Sequence, residues 1–335
     1  MYNSFSTKNQ PVRIAIIGAG KMASLHARAV CSAVAYAELS GVYDPQTDAA
    51  QLLAERWEVP VFESFDEAIR NSDALIIASP TQEHFPQAAE AIRAGKHVLI
   101  EKPVCATPKQ ARELQEIASS LKTKPVIQVG HIEHFNPSVV GVLNFINGDN
   151  PLVITTKRLG PHDPRTSGTD VVSDLMLHDI HVILNIAKSP IQSITAVGIA
   201  HLESKPDYAH ATIIFEDGMI AHLTASRITE EKQRSLSITS SDLHITADYS
   251  KRSVDISRCS DLVALSDDRP HYKQESVIEK LFVPLEEPLV AELRSFVGSI
   301  RHGSAVEVGL EMAVACMNIV ERINEVIVIQ EKSIR

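Results

Sequence analysis

The run from Val12 to Met22, VRIAIIGAGKM, constrains the fold more than any other stretch of the chain. Six residues rich in β-branched side chains read as a buried strand. They pass without a spacer into G-x-G-x-x-A, with Gly18, Gly20 and Ala23 at the marked positions, and then into a helical pattern to about Ser32. Strand, glycine turn and helix in that order form a phosphate cradle. The first glycine permits the turn, the second lets a pyrophosphate approach the backbone, and the small third residue lets helix and strand pack closely.

The alternation continues. ELSGVYD reads as a second strand ending at Asp44, followed by a polar helix from Gln46 to Arg56 and the apolar run ALIIAS at Ala74 to Ser79. A helix closed by Gly95 leads to the strand KHVLI, and a helix from about Thr107 to Ser120 leads to the strand PVIQV. Parallel strands with helical crossovers predict an α/β, doubly wound Rossmann sheet whose ligand crevice lies at the carboxyl ends of the strands. Gly18, Asp44, Ser79 and Glu101 fall at those ends. An acidic side chain at Asp44 suits the two adenosine ribose hydroxyls and repels the extra phosphate of NADP, and Pro45 and Gln46 bring no compensating cation, so the expected cofactor is NAD.

Beyond Gly130 the pattern changes. A helix is expected around Pro137 to Ile146, then the strand LVITTKRL, the helix DVVSDLMLHDIHVILNIA, and a series of β segments: SITAVGIA, HATIIFE, GMIAHLTASR, RSLSITSS and LHITADY. Turn signals such as Glu216-Asp217-Gly218 between them imply a mostly antiparallel sheet. Two helices, Glu287 to His302 and Leu310 to Ile329, close the chain. The expected division is a Rossmann domain over residues 1–129 and an α+β substrate domain over 130–335, which suits a chain of 335 residues.

Composition narrows the partners. The chain is 44% hydrophobic and 22% charged, which is the profile of a folded protein. A formal net charge of −10 repels nucleic acid and anionic membranes. The polar start, MYNSFSTKNQ, and the lack of any run of about 18 apolar residues lead to the expectation of a cytoplasmic protein. Cys31, Cys105, Cys259 and Cys316 are isolated, which points to reduced thiols and away from a disulfide frame or zinc site.

The stretch SPTQEHFPQAAEAIRAGKHVLIEKPVCATPKQA resembles the segment that marks the glucose-fructose oxidoreductase, inositol dehydrogenase and rhizopine-catabolism family, Gfo/Idh/MocA. The marks are Ser79-Pro80-Thr81, His84, Gly95-Lys96-His97-Val98 and Glu101-Lys102-Pro103. With the glycine motif and His26, the resemblance spans the first 130 residues. It implies an NAD-dependent dehydrogenase acting on a CH–OH group, with Gly18, Gly20, Lys21, Met22, Asp44, Ser79, Pro80, Thr81, His84, Glu101 and Lys102 around the cofactor. It also implies that Lys102 is the active-site lysine, able to hold a substrate hydroxyl and stabilise alkoxide character as the proton leaves. His26 and His97 read as packing residues.

In SDLMLHDIH, Asp174 and His178 stand at i and i+4, so one helical face carries both, and a carboxylate one turn from an imidazole can fix its tautomer and raise its basicity. The family places its Asp and His at this spacing, which makes His178 the general base and Asp174 its orienting partner. His181 stands where the family often has Asp. Hydride transfer from a secondary alcohol needs no metal, and none is expected.

Within the family, GHIEHFNP, RLGPHDPR, DVVSDLMLHDIH and EEPLVAELRSFV are similar to the branch that oxidises the C3 hydroxyl of UDP-N-acetylglucosamine or its uronate. The keto sugar made there is usually consumed by an aminotransferase. The similarity makes Arg158 and Arg165 candidate diphosphate or carboxylate contacts, because guanidinium offers a planar fork to anionic oxygens, and Glu133 and Asn136 candidate sugar contacts. It also implies a homo-oligomer. Two other readings stay open: a dehydrogenase of a free polyol or sugar such as inositol, and a non-catalytic NAD-binding regulator.

Overall fold

The computed structural model describes residues 10–146, 150–164, 168–202, 204–259 and 276–331. The first strands form the expected parallel sheet: β1 (Val12–Ile17), β2 (Ala37–Tyr43), β3 (Ala74–Ile77), β4 (His97–Glu101) and β5 (Ile127–Gly130), in the order β2-β1-β3-β4-β5. A single parallel bridge, Val42 to Val61, extends the β2 edge by one residue pair. Phe62 N donates to Val42 O at 2.8 Å there, and Val42 N donates to Pro60 O at 3.0 Å. With that stub counted, the order becomes the dinucleotide-binding one, reversing between β1 and β3, where a crevice opens.

Both faces of the sheet are covered, so its strands are apolar at successive positions. Ile14, Ile16, Ile76 and Leu99 pack under α1 (Lys21–Ser32) and α2 (Thr47–Trp57) on one face. Ala15, Ile17, Leu75, Ile77, Val98 and Ile100 pack on the other with α3 (Phe65–Arg70), α4 (Thr81–Arg93) and α5 (Pro108–Ser120).

The crossovers that bring the chain through α4 and α5 leave the opposite face of β4 and β5 without a helix of its own. The C-terminal region supplies one: Leu289, Leu293, Phe296 and Val297 of α8 (Pro288–His302) join Leu99 in the α1 core. The first unit therefore runs through Phe135 and takes in Glu286–Asn318, while the second comprises Asn136–Leu285 and the chain from Ile319. The expected division stood at 129/130, before the Ile132–Phe135 turn. α8 and the first part of α9 (Leu310–Val326) pack with the parallel sheet, because their apolar stripes match its uncovered surfaces.

The second unit is built on a nine-stranded sheet: β6 (Val153–Leu159), β7 (Ile191–Ala200), β8 (Tyr208–Phe215), β9 (Ile220–Ser226), β10 (Gln233–Thr239), β11 (Leu243–Asp248), β12 (Ser253–Cys259), β13 (Ser276–Lys280) and β14 (Ile327–Glu331). Its order is β13-β12-β11-β10-β6-β9-β8-β7-β14, with only β6/β9 and β7/β14 parallel. Along β8, Ala209, Ala211, Ile213 and Phe215 are buried and the residues between them are half-buried, the mark of a sheet covered on one face. α6 (Pro137–Phe145) and α7 (Leu177–Ile186) belong to this unit.

Two expected helices are altered. The last ends at Val326, and the β-branched IVIQE continues as β14 beside β7. The helix DVVSDLMLHDIHVILNIA opens with a π turn over Val172–Met176 before α7 begins.

Candidate active site

The glycine turn is fixed by sterics and by one carboxylate. Gly18 has φ +103°, and a Cβ there would stand 2.7 Å from Ala78 O and 3.0 Å from Ser79 N, which ties the end of β1 to the end of β3. Asp44 Oδ2 accepts from Ala19 N at 2.7 Å and Oδ1 accepts from Gln46 N at 2.8 Å. A carboxylate has about four lone-pair sites, so capacity for ribose hydroxyls remains after both bonds.

Gly20 is exposed and caps α1 with no side-chain hydrogen bond, and no atom lies within 4 Å of where its Cβ would be. Lys21 and Met22 follow in the first turn, which carries no acidic residue. A helix N-terminus with free amides and open space above a glycine suits a pyrophosphate. These residues fit a dinucleotide such as NAD.

The second cluster joins the ends of β3 and β4. Pro80 precedes Thr81 at the start of α4, and Ser79 Oγ donates to Gln87 Oε1 at 2.6 Å. His84 is buried, with Nδ1 2.8 Å from Pro103 O and Nε2 2.8 Å from Ser79 O. Its ring is therefore committed to the two loops, holding the Ser79 turn against the residue after Lys102.

Glu101 is also engaged inside the protein. Its Oε1 lies 2.7 Å from Nε2 of the fully buried His26, and its Oε2 accepts from Lys102 N at 3.2 Å. Burial pushes its pKa up, but His26 and the Lys102 charge more than offset this and hold it below the usual carboxylate range. Lys102 itself is half-buried at the end of β4. His26 and His97 are packing residues, as expected: His97 Nδ1 accepts from Val126 N at 2.9 Å. Burial pushes the nearby Cys105 thiol up to about 12, so it carries no thiolate at neutral pH.

In the second unit Asp174 lies within the π turn and His178 in the first turn of α7, both half-buried. A π turn inside a helix displaces the residues after it and is a frequent feature of functional sites. His181 is buried, with Asn185 Nδ2 3.1 Å from its Nε2.

Arg158 departs from expectation. It is 2% exposed, and its Nε and Nη2 donate to Asp179 at 3.2 Å and 2.8 Å, with the Tyr249 ring 6.0 Å away. A guanidinium fork closed on a buried carboxylate is part of the interior and not an open phosphate contact. Asn136 likewise caps α6, its Oδ1 accepting from Ser138 N at 3.0 Å. Glu133 is buried in the 3-10 turn Ile132–Phe135, and Arg165 lies outside the described residues.

Sequence reading did not single out Asp179, Gln128, His131 or Glu292. Glu292 did carry a signal, because it stands on the apolar stripe of α8 with Leu289, Leu293 and Phe296.

Known proteins match this arrangement along most of its length. Residues 12–131 match the oxidoreductase family with an NAD-binding Rossmann fold, and residues 151–246 match the GFO/IDH/MocA C-terminal domain. UDP-N-acetylglucosamine 3-dehydrogenase of Acidithiobacillus ferrooxidans is 32% identical over 238 residues, covering 71% of this chain and 74% of that protein. Its solved structure superposes with a TM-score of 0.84 at 26% identity, over 95% of this chain and 98% of that one.

Inositol 2-dehydrogenase of Rhizobium meliloti is 26% identical over 321 residues, 88% of this chain and 90% of that protein. Scyllo-inositol dehydrogenase of Lactobacillus casei, solved with NAD(H) and scyllo-inositol, shares the fold with a TM-score of 0.77 at 19% identity, over 95% of this chain and 97% of that one. The chain belongs to the Gfo/Idh/MocA family of NAD-dependent dehydrogenases, and its first unit is the family's Rossmann domain.

Proposed function

We propose that this protein oxidises the C3 hydroxyl of UDP-N-acetylglucosamine or its uronate to a 3-keto sugar. The likeness to the Acidithiobacillus ferrooxidans enzyme, at 32% identity over 71% of the chain, carries the reading. Arg158 lends it nothing, since its fork is closed on Asp179. Oxidation of inositol or another free polyol is the second reading, favoured by the Rhizobium meliloti relative, whose likeness covers 88% of the chain.

NAD, when bound, accepts the hydride that leaves the carbinol carbon. Gly18, Gly20, Lys21 and Met22 would hold its pyrophosphate, Asp44 its ribose, and Ser79, Pro80 and Thr81 its nicotinamide end. Glu101 and His84 act behind this layer, on the loops that carry it. Lys102 holds the reacting hydroxyl and stabilises the developing alkoxide, while His178, oriented by Asp174, takes the hydroxyl proton. Glu133, Asn136 and Arg165 are assigned to the sugar side by resemblance alone.

The resemblance also implies a homo-oligomer, and the exposure of Phe282 (87%) and Leu285 (89%) suits a contact with another copy. A partner aminotransferase would consume the product. No helix among the described residues is long and apolar enough to cross a membrane.

Lys102→Ala and His178→Ala should each lower kcat by about 10²-fold or more, the scale of general acid–base work, with NADH binding retained. The assay supplies a 3-keto-sugar aminotransferase, because oxidation of a secondary alcohol by NAD is uphill at neutral pH. Near wild-type turnover in either variant removes that residue from the mechanism. Preferred turnover of inositol over every UDP-sugar selects the second reading.

A further inference from the structure

The first unit buries more ionisable groups beside Lys102 than the catalytic assignment uses. β4 and β5 pair with Leu99 opposite Gln128 and Glu101 opposite Gly130. Side chains two apart on a strand share a face, so Glu101 and Gln128 point the same way as Leu99, toward α1 and α8. Gly130 makes room for the acid: a Cβ there would stand 3.1 Å from Glu101 Oε2. His26 comes to this face from α1 and meets Glu101 at 2.7 Å.

From α8 comes Glu292, fully buried on the helix's apolar stripe. Gln128 Nε2 donates to its backbone carbonyl at 3.1 Å, while both of its carboxylate oxygens lack a hydrogen-bond partner among the described residues. A buried carboxyl with no donor and a second acid nearby takes up a proton, since isolated charge in the interior is costly. Burial, and then the Glu101 charge, hold its pKa well above the usual carboxylate range. Glu101, bonded to His26 and the Lys102 amide, is held in the opposite direction.

The ionisable groups on the surrounding elements include His26 and, paired with Glu287, Arg28 from α1; Glu101 and Lys102 from the end of β4; and His131 and His134 after β5. His134 pairs with Glu307, and on α8 itself Arg294 is engaged by Glu286.

We propose that Glu292 is a positioning residue for Lys102. It stays a neutral acid behind Glu101, so that the one negative charge of this buried pair rests on Glu101 and holds the His26 ring and the Lys102 amide in place. Ionisation of Glu292 at alkaline pH puts a second charge beside Glu101, drives the two carboxylates apart and loosens the strand end that carries Lys102. This rests on the assignment of Lys102 to the reaction.

Two measurements test it. The first is infrared difference spectroscopy of wild type against Glu292→Gln, which should show a protonated-carboxyl C=O band at pH 7 that the variant lacks. In wild type alone the band must persist at pH 8, where ordinary carboxyls are ionised, so the test survives a variant that fails to fold. The second is the pH profile of kcat, whose alkaline fall should move up by at least one pH unit in Glu292→Gln, with KM for NAD unchanged.

Absence of the band overturns the proposal, and so do superimposable alkaline limbs. The infrared result needs no substrate. A Lys102→Ala variant that keeps its turnover while the band is present therefore refutes the catalytic assignment and not the protonation of Glu292.

Discussion

At Gly18 the φ of +103° and the approach of Ala78 O leave room for hydrogen alone. Gly18→Ala should cost about 1–3 kcal/mol of stability, the range for a strained backbone position, and weaken NADH binding at least tenfold, as urea melts and a fluorescence titration would show. We propose that Asp44 sets cofactor choice. The wild type should bind NADH at least tenfold more tightly than NADPH, about 1.4 kcal/mol, and Asp44→Ser should shrink the gap. Equal affinity in the wild type contradicts that role. The placement of both residues at strand ends was legible in the sequence because their neighbours along the chain define the strand and the turn. His84 and Arg158 were not, because their partners, Pro103 and Asp179, reach them only through the fold. The residue type announces a hydrogen-bonding capacity; it does not announce which segment will use it.

Among the elements, the parallel strands and their helices were readable from runs of β-branched residues set between amphipathic stretches. Three features were not. The strand stub at Val61 is one bridge long, β14 continues directly from α9, and the π turn at Val172–Met176 keeps the apolar spacing of an ordinary helix. The pair Arg158–Asp179 joins β6 to α7, the helix that carries His178. Removing one partner strands a buried charge, so Arg158→Ala should destabilise by about 3–5 kcal/mol in urea melts. Arg158→Ala with Asp179→Ala should cost less than the sum of the single changes, whereas strict additivity would show that the pair is not coupled.

Across the whole molecule, His131 and Glu101 make acid a destabilising condition. Burial, with a smaller push from the Lys102 charge, lowers the His131 pKa to about 3. An unfolded histidine titrates near about 6.5, so stability is fully present above that pH and is lost as pH falls toward the folded value, by about 1.4 kcal/mol per pH unit from this one group. Glu101, also held low, contributes in the same direction, above its unfolded value and lost as pH falls through its folded one. His131→Gln should flatten the acid limb between about pH 6.5 and 4 in urea melts, and an unchanged slope would contradict the burial account. The return of α8 to the parallel sheet, after the whole second unit has been made, was not legible, because its apolar stripe does not say which sheet it will cover.

The reaction itself is tested most directly by isotope transfer. UDP-N-acetylglucosamine deuterated separately at C3 and at C4 is oxidised in the presence of the product-removing aminotransferase, and the NADH formed is weighed by mass spectrometry. The account predicts deuterium in NADH from the C3-labelled substrate alone. Deuterium from the C4-labelled substrate would contradict it, as would no labelled NADH from either substrate under conditions where inositol is oxidised.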